Sequence, residues 1–448
     1  MYIVVIGLGE VGRHLLSVLQ HEGHDVVAVD RKASAVAYAA EHFDVATLEG
    51  YGASQEVLDQ AGVGNADLVV AVSDNDEVNL IAALAAKQQG AKRVVARAQG
   101  NEWATWRQGI RHGLLGVDVV INPRVLVGQE LGRVARSHGA IDVIDLAEDR
   151  VELVKMEMTS RMANKPLAKL TLPQETLIAA YVRDDELVVP GGADVLLPGD
   201  TVYLIGRPES ILQAEDLFST SREARRIMIV GGGVIGQALA RQVLPHGAFV
   251  TIVERDEKIA EELAAKHDGL DVRLGDGTDQ ELLQNLEVES YDLCACVTQE
   301  DEVNLMAALI AKRSGVLRTA AVVQRADYGP IYRQLGIDIV LSPRTVASDH
   351  ILQFCRGAAV HSVHVLEEGA AEVVEVTAQR GATIAGKPLR RVQLPKGALV
   401  CAIIRNGEVV VPRGDDTINP GDRTIVMASR EARPSVERMF RGRGALRR

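Results

Sequence analysis

Two glycine signatures, each closing a short apolar run, restrict this chain more than any other feature. Gly7-Leu8-Gly9-Glu10-Val11-Gly12 follows the run from Tyr2 to Ile6, and Gly231-Gly232-Gly233-Val234-Ile235-Gly236 follows Ile227 to Val230, 224 residues further on. Both read G-x-G-x-x-G in a strand-to-helix setting. There the first glycine permits a tight turn, the second lets a pyrophosphate approach the backbone, and the third lets helix pack on strand. An acid ends the next apolar run in each case: Asp30 after Val26 to Val29, and Glu254 after Val250 to Val253.

The correspondence continues in order along the chain. Gly50-Tyr51-Gly52-Ala53-Ser54 matches Gly275-Asp276-Gly277-Thr278-Asp279, and the run from Ser73-Asp74 to Asn79-Leu80 matches Thr298-Gln299 to Asn304-Leu305. Pro123-Arg124 pairs with Pro343-Arg344, Lys165-Pro166-Leu167 with Lys387-Pro388-Leu389, and Pro198-Gly199-Asp200 with Pro420-Gly421-Asp422. One unit of about half the chain is therefore duplicated, which is unlike a solenoid of short repeats.

At 448 residues the chain exceeds what one core normally fills. Strand-like runs at 2–6, 25–29, 45–48, 67–72, 93–97 and 117–121 alternate with amphipathic stretches, and 227–341 repeats the pattern with a shorter connection before its last strand. Continuous apolar strands alternating with helices predict a parallel sheet covered on both faces, wound as a Rossmann fold. Asn101 to Gly113, with Trp103 and Trp106, has only a reduced counterpart around Asp327 to Gln334. A helix then opens at each Pro-Arg, running Pro123 to Ser137 and Pro343 to Arg356. Residues 140–206 and 361–428 read as short strands with Pro-Gly turns. The predicted fold class is α/β, with two doubly wound parallel sheets, each followed by a small α+β domain. The expected division is 1–122, 123–139 (connecting helix), 140–222, 223–342, 343–360 (connecting helix) and 361–448, the seam falling near Ser219 to Arg226.

A net charge of −12 argues against a nucleic-acid partner. Arg438, Arg441, Arg443, Arg447 and Arg448 gather near the end, either as a solvated tail or as a surface for an acidic partner. The first strand starts at residue 2 and no apolar stretch is long enough to span a bilayer, so the expected location is the cytoplasm. Cys294 and Cys296 alternate along a strand and should be buried on one face of the sheet; no secreted disulfide framework is present.

An acid at the second strand tip can accept hydrogen bonds from both ribose hydroxyls and repels a 2′-phosphate, which favours NAD(H) or an adenine nucleotide. Ser73 and Asp74, like Thr298 and Gln299, fall at the carboxyl edge of strand four, where a ligand lies. Ser73 and Thr298 also suit the N-cap of the following helix. Arg97 and Arg325 are placed at the end of strand five, within reach of phosphate or of a surface carboxylate. Asn79 and Asn304 have no propensity reason to recur inside a helix, and a packing or capping contact between subunits is the expectation. The histidines are scattered without counterparts in the other half; His361-x-x-His364 lacks a third metal ligand, and no Walker-type lysine follows the glycines. The sites look built to bind, and the alternative is a tandem-Rossmann NAD-dependent oxidoreductase.

With the glycines, Asp30, Ser73-Asp74-x-Asp76-Glu77-x-Asn79, Arg97 and the tandem layout, the whole chain resembles the TrkA family, the nucleotide-binding subunits of bacterial Trk potassium uptake systems. The resemblance implies two regulator-of-potassium-conductance (RCK) N-terminal domains, each followed by a TrkA C-terminal-type domain. It implies no catalysis, but a peripheral protein on the inner face of the membrane. It implies a homo-oligomeric, tetrameric ring beneath a TrkH-type channel subunit, gated by NAD(H), ATP or ADP. It assigns Gly7, Leu8, Gly9, Glu10, Val11 and Gly12 to pyrophosphate, Asp30 to ribose, Ser73 and Asp74 to the adenosine side and Arg97 to phosphate. Gly231, Gly232, Gly233, Val234, Ile235, Gly236, Glu254, Asp276, Thr298 and Arg325 take the second-half places. Because Glu254 and Gln299 stand where the first half has Asp30 and Asp74, the halves are expected to differ in nucleotide preference.

Overall fold

The computed structural model describes all residues except 22, 101–108, 138–139, 148–149, 159–161, 185, 219–224, 267–268, 355–359 and 443–448. Trp103 and Trp106, most of the expected seam, and Arg443, Arg447 and Arg448 lie outside the described residues. The chain forms two compact units, Met1–Gly132 with Ala224–Cys355, and Arg133–Glu223 with Arg356–Arg448.

The first unit holds two Rossmann sheets. The first is built from β1 (Tyr2–Ile6), α1 (Glu10–His21), β2 (Asp25–Asp30), α2 (Ala33–His42), β3 (Ala46–Glu49), α3 (Gln55–Gln60), β4 (Leu68–Ala71), α4 (Asp76–Gln88), β5 (Val94–Arg97), β6 (Ile110–Leu114) and β7 (Val117–Ile121), and α5 (Pro123–Arg136) leaves it. Its strand order is β3-β2-β1-β4-β5-β7-β6. The central strands are fully buried because helices cover both faces. α1 contributes Leu15, Leu16 and Leu19 to one face, and α4 contributes Leu80, Ala82, Ala83 and Ala86 to the other.

The expected parallel order holds from β3 to β7, and β6 adds one antiparallel strand at the edge, paired with β7. A tight turn through Leu115 and Gly116, both with left-handed backbone (φ 52° and 85°), joins the two.

The small domain that follows comprises β8 (Asp142–Leu146), β9 (Val151–Glu157), β10 (Thr176–Arg183), β11 (Glu186–Val188), β12 (Thr201–Gly206) and α6 (Pro208–Phe218). The second Rossmann sheet comprises β13 (Arg226–Val230), α7 (Val234–Val243), β14 (Phe249–Glu254), α8 (Glu257–Lys266), β15 (Leu270–Leu274), α9 (Gln280–Asn285), β16 (Leu293–Cys296), α10 (Asp301–Arg313), β17 (Arg318–Val322), α11 (Gly329–Gln334) and β18 (Ile339–Leu341). Its order, β15-β14-β13-β16-β17-β18, repeats the first without an antiparallel edge. Cys294 and Cys296 are buried on one face of β16 with sulfurs 3.9 Å apart. α12 (Pro343–Phe354) leads to the second small domain, made of β19 (Val360–Leu366), β20 (Ala371–Thr377), β21 (Ala398–Arg405), β22 (Glu408–Val410), β23 (Arg423–Ser429) and α13 (Arg433–Phe440).

The two small sheets share one strand order, β11-β10-β12-β9-β8 and β22-β21-β23-β20-β19. In the second unit they meet through a common core to which Leu153, Tyr203 and Ile205 contribute from one side and Val373, Ile425 and Met427 from the other. Tyr203 hydroxyl and Lys155 Nζ both donate to Glu367 Oε1, at 2.6 and 2.5 Å. Burial first, and this bond to a carboxylate second, push the Tyr203 pKa far above its ordinary value. Arg438 and Arg441 are tied within α13, to the Pro434 carbonyl and to Glu437.

The two Rossmann halves meet at helices that cross closely. A Cβ on Gly128 of α5 would stand 2.5 Å from Ala238 Cβ and 2.7 Å from the Ile235 carbonyl oxygen of α7, and one on Gly132 would stand 2.5 Å from Gln242 Cβ. Val125, Val234 and Ala238 are buried in the crossing. Replacing Gly128 by leucine is expected to force α5 and α7 apart while both sheets stay folded. Overpacking of this kind costs about 1–3 kcal/mol. A lowered thermal midpoint with unchanged far-ultraviolet circular dichroism is the expected result, and an unchanged midpoint would contradict the crossing.

Candidate functional site: two nucleotide cradles

Each cradle begins where the chain leaves the first strand of its sheet. Gly7 and Gly231 adopt φ of 98° and 109°, conformations that L side chains rarely take, and their N–H groups donate to the Val29 and Val253 carbonyls at 2.8 and 2.9 Å. A Cβ on Gly12 would lie 2.0 Å from the Gly7 oxygen, and one on Gly236 would lie 2.2 Å from the Gly231 oxygen, so the helix can seat on the turn only with glycine there. Gly9 and Gly233 leave the loop open: a Cβ at Gly9 would meet only Asp74 Oδ1, at 3.8 Å, and one at Gly233 would meet nothing. α1 and α7 then present free backbone N–H groups and a positive dipole end to this space.

The acids hold the loops. Asp30 accepts from Leu8 N (2.7 Å) and Lys32 N (2.9 Å), and Glu254 accepts from Gly232 N (2.7 Å) and Asp256 N (2.9 Å). An ionised carboxylate has about four lone-pair sites, so two remain for ribose hydroxyls. The residues present thus fit a dinucleotide or an adenine nucleotide.

The floor of each cradle corrects the sequence reading. Asn79 and Asn304 do not reach another subunit; both are fully buried within their own sheets. Asn79 Oδ1 accepts from Ser73 N (2.8 Å) and Ser73 Oγ (2.7 Å), while its Nδ2 donates to the carbonyls of Ser73 (2.9 Å) and Arg97 (3.0 Å). Asn304 does the same for Thr298 N (2.8 Å), Thr298 Oγ1 (2.7 Å), Thr298 O (3.0 Å) and Val322 O (2.8 Å). Each asparagine therefore clamps the ends of two neighbouring strands. Ser73 and Thr298 are not N-caps. Asn75 caps α4 by accepting from Val78 N at 2.7 Å, and Glu300 occupies the same place in α10 without a side-chain cap bond. The hydroxyls were taken by the asparagines instead.

Arg325 is also misplaced by the sequence reading. β17 ends at Val322, and Asn304 bonds the Val322 carbonyl as Asn79 bonds that of Arg97, so Val322 is the structural counterpart of Arg97. Arg325 follows in the next loop, exposed and stacked 4.6 Å over the Tyr328 ring. Its N–H and that of Gln324 donate to Asp301, at 3.3 and 2.7 Å, just as Gln99 and Gly100 donate to Asp76, at 2.8 and 2.7 Å. Asp276 turns back on its own loop, accepting from Thr278 N and Oγ1 at 2.8 and 2.7 Å; these bonds hold its carboxyl below the usual range.

Around the first cradle charge is concentrated. A cavity of about 140 Å³ is lined by Gly9, Glu10 and Val11, by Asp74 and Arg97, and from beyond the first sheet by Arg124, Gln324 and Arg344. Arg97 is 7% exposed, donates from Nη2 to the Ser73 carbonyl at 2.7 Å, and lies 3.9 Å from Asp74. Burial pulls the pKa of Arg97, Arg124 and Arg344 below the ordinary guanidinium value. Arg344 forms an ion pair with Glu10 in the first turn of α1. The only sequence signal for Arg124 and Arg344 was that Pro-Arg occurs in both halves. Glu10 and Val11 line the cavity, whereas Leu8 is buried against the core and reaches the site only through its N–H.

The second cradle differs in shape. Val234 replaces Glu10, and a Cβ at Gly232 would meet Leu263 Cδ1 at 2.5 Å, so a leucine from α8 fills the space that Leu8 occupies in the first. Val234 and Ile235 are buried and Glu254 is only 9% exposed. Arg255 and Glu300 form an ion pair between the loops after β14 and β16.

Comparison with known proteins agrees with this duplication. The TrkA-N domain family matches residues 3–123 and again 227–343, and the TrkA-C domain family matches 151–219 and 373–441. A protein from Archaeoglobus fulgidus named Trk system potassium uptake protein TrkA homolog is 34% identical over 443 residues, covering 98% of this chain and 100% of its own length. Trk system potassium uptake protein TrkA homolog 1 of Methanosarcina mazei is 33% identical over 452 residues, with 98% and 100% coverage. Among solved structures, the GsuK RCK domain superposes with a TM-score of 0.62 at 18% identity, covering 98% of this chain and 94% of that one. The GsuK channel bound to NAD gives 0.62 at 18% identity, with 98% and 78% coverage.

Replacing Asn79 by alanine leaves the Ser73 N–H and the Arg97 carbonyl unpaired in a buried place. The expected loss is about 2–4 kcal/mol of stability, with a similar loss for Asn304→Ala, read from urea unfolding midpoints. A loss under about 0.5 kcal/mol, the range of ordinary surface substitutions, would show that the clamp carries no weight.

Proposed function

The chain belongs to the TrkA family, and from that premise we propose that it is the nucleotide-binding regulatory subunit of a potassium uptake system. In this reading it is a switch and not an enzyme. It lies in the cytoplasm on the inner face of the membrane, assembles as a homotetrameric ring, and gates a TrkH-type channel subunit in response to NAD(H), ATP or ADP. Full-length similarity to relatives named for potassium uptake supports the system. Among the described residues no helix is long and apolar enough to cross a membrane, so a conducting pore would belong to a partner. Ile81 and Met306 hold the same position on α4 and α10 and are 53% and 51% exposed, which suits a repeated contact between copies in a ring.

The observation that carries the proposal is the cavity beside Gly9, Glu10 and Val11, where Arg344 from the second half meets the first cradle. Asp30 would hold ribose and so exclude a 2′-phosphate. Gly7 to Gly12 and Arg97 would hold phosphate, with Ser73 and Asp74 on the adenosine side. Gly231 to Gly236, Glu254 and Thr298 would serve the second site, with Asp276 and Arg325 at its margins. Arg344 can pair with Glu10 or with a phosphate, and the first choice ties α1 to α12. A ligand that takes Arg344 from Glu10 therefore favours a different arrangement of the two Rossmann halves, provided it binds the two arrangements unequally.

Asp30→Ala is expected to weaken NADH and ADP binding at the first cradle at least tenfold in calorimetric titration, and to remove nucleotide dependence from potassium flux in vesicles holding the channel subunit. Arg344→Ala should leave NADH bound within a few-fold yet uncouple occupancy from flux. Unchanged flux regulation in both variants would refute the switch, as would failure to co-purify with a TrkH-type membrane subunit in any nucleotide.

A further inference from the structure

The ligand crevice of a Rossmann sheet runs along the carboxyl ends of its strands, so the strand order fixes what lies along it. In the first sheet that order is β3-β2-β1-β4, and in the second it is β15-β14-β13-β16. A nucleotide with its phosphates on the glycine loop after β1 and its ribose on Asp30 after β2 has its base carried outward. Neighbouring strands are about 4.8 Å apart, so a base bonded directly to that ribose arrives one strand further on, at the end of β3.

The two copies turn there alike. Asp30 lies opposite Glu49 in the β2–β3 pairing, and Glu254 lies opposite Leu274 in β14–β15. Gly50 N then donates to the Asp30 carbonyl and Gly275 N to that of Glu254, both at 2.9 Å. Ser54 N closes a turn on the Tyr51 carbonyl at 2.8 Å, as Asp279 N does on that of Asp276 at 3.0 Å. A Cβ on Gly52 would stand 2.2 Å from Ile6 Cγ2, and one on Gly277 would stand 2.2 Å from Val230 Cγ1, so both turns seat on the first strand of their sheet. Tyr51 and Asp276 therefore leave the same backbone at the same place, two residues beyond the position opposite the ribose acid. Neither serves the core: Tyr51 is 49% exposed, and Asp276 is exposed as well. Their chemistry differs. A tyrosine offers the face of a ring, and every base has a π-face to lay on it. Asp276 offers an acceptor. Its Oδ1 takes hydrogen bonds from Thr278 N and Oγ1, and these first, with Arg255 adding to them, hold the carboxyl below its usual range. An ionised carboxylate only accepts and has about four acceptor sites, so two remain for a ligand N–H.

We propose that the two cradles read the base in different ways. Tyr51 stacks on it and is indifferent to its edge, whereas Asp276 accepts a hydrogen bond from an exocyclic amine. The second cradle therefore requires an aminopurine, and the first takes any purine. The inference rests on the reading of both cradles as nucleotide sites and adds the base to it. Adenine carries no N–H on its edge other than its amine. A purine without that group keeps its stacking face, its ribose and its phosphates, and loses only the donor that Asp276 can accept. One chemical change thus separates the copies.

Hydrogen exchange followed by mass spectrometry on the full chain, titrated with ATP or with purine riboside 5′-triphosphate, reads the cradles separately through peptides covering 7–21 and 231–243. ATP is expected to protect both. The analogue should protect 7–21 within about threefold of the ATP concentration, but 231–243 only at about tenfold more, the loss expected for a hydrogen bond to a charged group. Tyr51→Ala should weaken ATP and the analogue alike at the first cradle, by about fivefold or more, and Tyr51→Phe should keep both. Asp276→Ala should erase the preference of the second cradle, and Tyr51→Asp should create one in the first. Equal discrimination, or equal tolerance, of the analogue at the two cradles would overturn the proposal. So would a Tyr51→Ala chain that binds ATP unchanged, or failure of ATP to protect 231–243. Protection of neither cradle by ATP or NADH would refute the nucleotide reading itself, and the proposal with it.

Discussion

The close approach of α5 to α7 is the constraint on which the rest of the first unit depends. Helix axes come together only as closely as the side chains between them allow. Gly128 and Gly132 present no side chain, and Ala238 little, so backbone meets backbone there. Two Rossmann sheets that each fold by local rules are thereby held as one body. In the same unit α12 packs against α1, and Arg344, which belongs by sequence to the second half, pairs there with Glu10 of the first.

Inside each sheet a single asparagine does a comparable job at smaller scale. A parallel sheet ends with carbonyls and N–H groups that have no further strand to meet. Asn79 and Asn304 satisfy three such groups apiece and fix where strand four stops relative to strand five. In Rossmann sheets this is the edge at which ligands bind. The cost of a polar side chain in an otherwise apolar helix face is offset because every one of its hydrogen-bonding groups is used.

The glycines, the two acids, the parallel strands and the family were legible because each is written in residues close together in the chain. Gly7 and Gly231 need left-handed backbone, and the sequence says glycine. What was not legible depends on distance or on count. Asn79 was visible as an anomaly, but its partners lie on two other elements. Arg325 looked like the mate of Arg97 until the register of β17 put Val322 in that place. The antiparallel β6 falls in a stretch with only a reduced counterpart in the other half, so duplication gave it no second reading. Arg124 and Arg344 matched each other in sequence, yet nothing local says that they face one cavity.

Duplication also explains why the copies can diverge without losing the fold. Where the first cradle puts volume in the loop, with Leu8 in the place of Gly232, the second puts it in the helix, with Leu263 in the place of Ala39, and all of these are buried or packed. Charge has been moved in the same manner. Arg97 against Val322 and Glu10 against Val234 leave the first cradle polar and the second apolar beside its loop. In the small domains a buried Ile211 stands where the second copy has Arg433, which pairs with Glu372 and Glu437. Each exchange keeps packing and changes electrostatics, so selection for stability alone does not distinguish the copies.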